Sequence, residues 1–142
     1  MKSFHTLSIK EKLTVLSIWV QLALVDIRLT VIPHKFNKNW LYGSFKSPKN
    51  KQNIGKEQIQ LLTQMTSIAS SHSLFFNMTC LRKALVLRSR LRRLGIDAIL
   101  RFGTRKTGDK QKNSYQSHAW VEIEGEVIDP SNNSRGYHDF NN

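Results

Sequence analysis

Disulfide frameworks, cysteine-rich zinc sites and iron–sulfur clusters are excluded at once, because the 142-residue chain holds one cysteine, Cys80. Three prolines and seven glycines are too few for a collagen-like or proline-rich chain. No period of roughly 20 to 50 residues recurs, which removes solenoids and repeat arrays. Acidic side chains are scarce too: 10 Asp and Glu stand against 22 Lys and Arg, a formal balance of +12. A hydrophobic share of 39% still supports a core, so the chain is no disordered basic tail. The length allows one sizeable core. What remains is a small basic α/β or α+β protein.

A strong positive surplus suits an acidic partner such as nucleic acid, an anionic membrane or an acidic peptide. Here the basic residues are dispersed over Lys46, Lys49, Lys51 and Lys56, then Arg82 to Arg93, then Arg101 to Lys112. No nucleic-acid module is spelled out, and aromatic residues are not interleaved as stacking platforms. No nucleic-acid partner is expected. A charged, solvated surface accounts for the pattern.

Leu13 to Ile32 is the longest apolar stretch, yet it contains Gln21, Asp26 and Arg28. A mid-span charge costs about 2.5–3.5 kcal/mol on insertion scales. As a signal peptide the stretch has Glu11 in its basic flank, and Ala23-Leu24-Val25 is a poor cleavage site. The spacing Leu13, Leu16, Val20, Leu24, Ile27, Val31 instead predicts an amphipathic helix with that stripe inward. Ser8-Ile9-Lys10-Glu11 reads as its capping box, and Pro33 closes it. A cytoplasmic location is expected, although an apolar helix followed by basic residues also suits a membrane surface.

Residues 33–55 are polar and basic, broken by Pro33, Gly43, Pro48 and Gly55, which predicts a linker. The chain therefore divides into an N-terminal amphipathic helix with basic linker, 1–55, and a core, 56–142. A second helix is predicted from about Lys56 to Ala69, with Ile59, Leu62 and Met65 inward. Ser70 to Met78 connects it to a third, starting near Cys80, whose inner face is Cys80, Ala84, Leu87, Leu91 and Leu94. Gly95 follows as the residue that enters the left-handed region cheaply.

Beyond Gly95 the period changes to two. Ala98, Leu100 and Phe102 alternate with Asp97, Ile99 and Arg101, the pattern of a half-buried strand. Gly103 to Ser114 reads as a charged loop. Ala119 to Ile123 and Glu126 to Asp129 are two more short strands, joined at Glu124-Gly125. The last dozen residues are polar and read as a frayed tail.

A lone cysteine is commonly a small buried hydrophobe. Cys80, however, follows Thr79, a competent N-cap, and opens a helix. There the backbone N–H groups and the helix dipole stabilise a thiolate, and the same groups can hold an oxyanion. Of five histidines, His5, His34, His72 and His138 fall at boundaries, in a connection or in the tail, and read as surface residues. His118 opens a strand, where the fold fixes its direction. If the turn centres on the Glu124–Gly125 bond, Val121 pairs with Ile128 and Trp120 with Asp129. His118 is then diagonal to Asp129 on one face, about 7–8 Å away between backbone positions. Asp129 is thus the candidate to orient the imidazole, with Glu122 a weaker competitor. A zinc site from Cys80, His118 and Asp129 is disfavoured, since no ligand pair is closely spaced.

The order Cys80-Leu81, Leu91-Arg92-Arg93-Leu94-Gly95-Ile96, Phe102-Gly103, His118-Ala119-Trp120-Val121-Glu122, then Gly125 before Asp129, resembles the lasso-peptide leader peptidases. These are the protease halves of the lasso-peptide B proteins, within the transglutaminase-like cysteine protease superfamily. The likeness runs from about Thr79 to Asp129. It implies an α+β fold: N-terminal helices, then a transglutaminase/papain-like core whose nucleophile begins a helix packed on a small antiparallel sheet. It implies a Cys-His-Asp peptidase that removes the leader from a ribosomally made precursor, with Cys80 as nucleophile, His118 as base then acid, and Asp129 as the orienting carboxylate. The backbone N–H groups of Cys80 and Leu81 are the expected oxyanion hole, with Asn77 a further side-chain candidate. Implied partners are the precursor's leader, a separate leader-binding protein and the ATP-dependent lasso cyclase; no cofactor and no metal are implied. Ser117 stands where the family more often has alanine. No segment for a leader-binding domain is seen, which suggests the stand-alone protease, with Trp19, Trp40 and Lys46 to Lys56 as candidate docking residues. A transglutaminase-like acyltransferase and a non-catalytic basic module binding peptide or nucleic acid are the alternatives.

Overall fold

The computed structural model describes residues 8–33, 35, 54–71, 79–106, 115–129 and 138–139. Most of the expected basic linker, with Trp40, lies outside the described residues, as do His5, His34, His72, Asn77 and most of the 70–78 connection.

Three helices precede a sheet. Helix α1 (Ile9–Val31) starts at the expected capping box: Glu11 N donates to Ser8 Oγ at 3.3 Å and Ser8 N donates to Glu11 Oε2 at 2.7 Å. It ends at the extended Ile32, next to Pro33. Helix α2 (Lys56–Ser71) turns Leu62, Met65 and Ile68 inward, with Ile59 half-buried beside them. Helix α3 (Cys80–Arg93) ends at Gly95, whose φ is 83°. Ile96 N donates to Leu91 O and Gly95 N to Arg92 O, both at 3.0 Å, the two bonds of a Schellman close.

The sheet is antiparallel with strand order β3-β2-β1-β4, formed by β1 (Ala98–Lys106), β2 (Tyr115–Ile123), β3 (Glu126–Ile128) and β4 (His138–Asp139). Helix α3 packs against β1 and β2, and α1 packs on α2 and α3. One core joins Ile18 and Leu22 of α1, Met65 of α2, Leu87 and Leu91 of α3, and Ala98, Ala119 and Val121 of the sheet. This is the expected α+β arrangement, with the helix that begins at Cys80 lying on a small antiparallel sheet.

The structure corrects four expectations. The stripe Leu13, Leu16, Val20, Leu24, Ile27 and Val31 is exposed, and α1 buries Val15, Ile18 and Leu22 instead. The helix is apolar on both sides, so periodicity finds two stripes and cannot say which is inward; polar neighbours decide. Arg90 of α3 donates from Nε to Gln21 Oε1 at 2.8 Å and from Nη2 to Ser17 Oγ at 2.6 Å, and Arg82 pairs with Asp26. Burial pushes the Arg90 guanidinium below its ordinary pKa, with Arg93 adding repulsion.

Second, β1 continues through Gly103 to Lys106 and β2 begins at Tyr115, because Gly103 to Lys106 pair with His118 to Tyr115. Charged and small side chains on these exposed strand ends hide the period-two pattern, while the backbone ladder extends regardless. Third, the tail is not wholly frayed: His138 and Asp139 form β4 against Thr104 and Gly103. Fourth, Leu94 is 43% exposed and ends the helix outside its buried face.

Candidate functional site

The hairpin β2–β3 is set by a two-residue turn. Glu124 and Gly125 both take positive φ, 50° and 82°, the type I′ geometry whose twist matches paired strands. The register follows as expected: Val121 pairs with Ile128, Glu122 with Val127 and Ile123 with Glu126. Asp129, the next residue, falls opposite Trp120. Alternation sends Ala119 and Val121 into the core and His118, Trp120 and Glu122 to the other face.

On that face His118 and Asp129 meet. Nε2 of the ring lies 2.8 Å from Asp129 Oδ2, and the two side chains are 6% and 4% exposed, so water hardly competes for this bond. The Trp120 ring stacks near the imidazole, with centroids 6.1 Å apart and planes at 23°. Trp120 Nε1 is buried and has no hydrogen-bond partner among the described residues. Glu122 is drawn the other way: Arg101, diagonal to it on β1, donates from Nε and Nη2 to its two carboxylate oxygens, both at 3.2 Å. The competitor is thereby occupied in a forked pair.

Cys80 is the first residue of α3 and is partly buried at the margin of the core. Thr79 holds the extended N-cap conformation, φ −69° and ψ 157°, but its side chain makes no cap bond. The Leu81 and Arg82 amides, which an N-cap side chain would serve, therefore lack that acceptor. No hydrogen bond among the described residues joins the Cys80 thiol to His118. The structure thus pairs His118 with Asp129 directly, while Cys80 begins the helix that packs on the core face of the same strand, the face opposite the one that alternation gives His118. Among the described residues, no group of three or more His, Cys, Asp and Glu is placed to hold a metal ion.

Chemically, a carboxylate can only accept, so the Asp129 contact places a ring proton on Nε2. A carboxylate so placed fixes the orientation of the ring.

Comparison with known proteins adds one match. The family model described as the transglutaminase-like superfamily fits residues 21–142, from the middle of α1 through the sheet. Comparison with curated proteins and with solved structures gives no match.

Proposed function

Because the chain belongs to the transglutaminase-like superfamily, whose members include cysteine peptidases and acyltransferases, we propose that it is a cysteine peptidase that cuts the leader from a lasso-peptide precursor. The observation that carries this reading is the buried His118–Asp129 pair on the strand against which the Cys80 helix packs. The motif order from Cys80 to Asp129 supports the narrower assignment to leader removal.

In this reading His118 Nδ1 takes the thiol proton, and the Cys80 sulfur attacks the carbonyl at the leader–core junction. The oxyanion accepts hydrogen bonds from the Cys80 and Leu81 amides at the start of α3. The imidazolium, steadied by Asp129, gives its proton to the departing core amine, which leaves the leader as a thioester on Cys80. His118 then draws a proton from water as the water attacks the thioester. The leader departs as a carboxylic acid and the thiol is restored. A separate leader-binding protein presents the precursor, and the ATP-dependent cyclase takes up the freed core. A cytoplasmic location accords with an intracellular precursor.

The test is mass spectrometry of precursor incubated with the chain and the leader-binding protein, using the parent, Cys80→Ala and His118→Ala. One cut in the parent and none in either variant is the expected result. A folded parent that never cuts overturns the reading. A leader–amine adduct in place of free leader, on addition of a primary amine, assigns the acyltransferase instead.

A further inference from the structure

Helix α1 carries an outer stripe that nothing among the described residues covers. Ile9, Leu13, Leu16, Val20, Leu24, Ile27 and Val31 are all between 46% and 78% exposed. Steps of four and three hold them within a narrow band on one side of a straight helix. At 1.5 Å per residue the band runs about 33 Å. Soluble monomers seldom leave a contiguous apolar surface of that extent open.

The charges beside the stripe indicate what covers it. Lys10, Lys12 and Arg28 are exposed, and at 3.6 residues per turn they border the stripe on its two flanks. The two acids of α1 lie off that side: Glu11 closes the capping box and Asp26 faces Arg82. The same sign continues along the sequence, where residues 33–55 hold five lysines and no acidic residue. An apolar strip with cationic borders is the pattern of a helix lying in the boundary of an anionic bilayer, with lysine stems reaching up to the headgroups.

Two other occupants fit less well. By length and composition α1 could cross a membrane, but crossing would strip Val15, Ile18 and Leu22 from the core and leave Arg82 and Arg90 without Asp26, Ser17 and Gln21. A second copy is attractive on shape, because the stripe is symmetric about Val20 and an antiparallel pairing would set Leu16 on Leu24 and Leu13 on Ile27. That pairing also brings Lys10 beside the copy's Arg28 at both ends, like charges with no acid of α1 between them.

We infer that the outer face of α1 seats the protein on an anionic phospholipid surface, with the helix in the plane of the bilayer and the sheet and its His118–Asp129 pair held above it. The inference rests on α1 alone and stands apart from the peptidase reading.

The experiment is co-sedimentation of the full chain with phosphatidylcholine vesicles, with and without phosphatidylglycerol. Comparison proteins are Leu16→Asn with Leu24→Asn, and Lys10→Glu with Lys12→Glu. All four changes are at exposed positions, so circular dichroism and melting are expected to match the parent. The parent should bind phosphatidylglycerol vesicles and not phosphatidylcholine alone. The leucine pair should lose about tenfold or more of this partition, and the lysine pair should weaken it severalfold. If the leucine pair melts early, a Val20→Trp variant quenched by nitroxide-labelled lipid gives the same reading without loss of apolar surface. Binding that survives the leucine changes would reduce the effect to the overall +12 charge and overturn the inference. So would absence of vesicle binding, or a dimer in sedimentation velocity that the leucine pair abolishes while vesicles bind nothing.

Discussion

His118 Nε2 and Asp129 Oδ2 lie 2.8 Å apart although eleven positions separate them in the chain, because the Glu124–Gly125 turn folds β3 back onto β2 in a register that makes the two residues diagonal neighbours. In the proposed mechanism the ring's other nitrogen, Nδ1, exchanges a proton with the thiol. Asp129→Ala is therefore expected to lower precursor cleavage by roughly 10²–10⁴-fold. Asp129→Asn keeps an acceptor oxygen and should lose less. Rates measured alongside melting curves test this, and an Ala variant as fast as the parent would remove Asp129 from the mechanism.

The turn itself is open to a backbone test. A Cβ on Gly125 meets nothing within 4 Å, so Gly125→Ala probes only the cost of φ 82°. It should destabilise the protein by about 1–2 kcal/mol. Glu124→Asn, at φ 50°, should move stability the other way by a few tenths of a kcal/mol. Urea denaturation of both variants reads the two signs, and equal effects would contradict the type I′ assignment.

Glu122 and Asp129 are both carboxylates on one face of the hairpin, yet their roles should separate cleanly. Glu122 is held by Arg101 in a partly buried pair, so Glu122→Gln, which keeps one acceptor oxygen, should cost about 1–2 kcal/mol and leave cleavage near the parent rate. A loss as deep as that of Asp129→Ala would mean that Glu122, not Asp129, serves the imidazole.

Asp26 ties α1 to the first turn of α3 through Arg82, with both side chains mostly buried. Asp26→Ala leaves that guanidinium without this partner and should lower stability by about 1.5–3 kcal/mol. Because Arg82 sits two residues after Cys80, cleavage should fall with it. Asp26→Asn, which keeps an acceptor, should recover part of both. A variant that melts like the parent would show that α1 adds nothing at this point.

Much of this was legible in the residues, and where it was not the reasons are physical. The capping box at Ser8 and the Gly95 close were readable because each needs particular side chains at fixed offsets. The diagonal of His118 and Asp129 followed from the parity of strand register and one turn dipeptide. The inward face of α1 was not readable, since two apolar stripes compete and the choice is made by Arg82 and Arg90, more than fifty residues away. The full length of β1 and β2 was hidden as well, because a backbone ladder can run through polar residues such as Tyr115 to Ser117 that carry no core signal. The isolation of Glu122 required a forked bond from Arg101, a partner that spacing alone does not single out.

The order of the three residues along the chain has a consequence in time. Synthesis proceeds from the N-terminus, so the thiol of Cys80 is made first and the imidazole–carboxylate pair last. The 49 residues from Cys80 to Asp129 take roughly 2–10 s to add at about 5–20 residues per second. Once they emerge, the hairpin that joins His118 to Asp129 can close in about 1–10 μs, since its contacts are local. Throughout the earlier interval the nascent chain has the sulfur of Cys80 but not yet the His118 imidazole that the proposed mechanism assigns to it. As a peptidase of the proposed kind, the growing protein would be shielded from its own chemistry by the direction in which it is built.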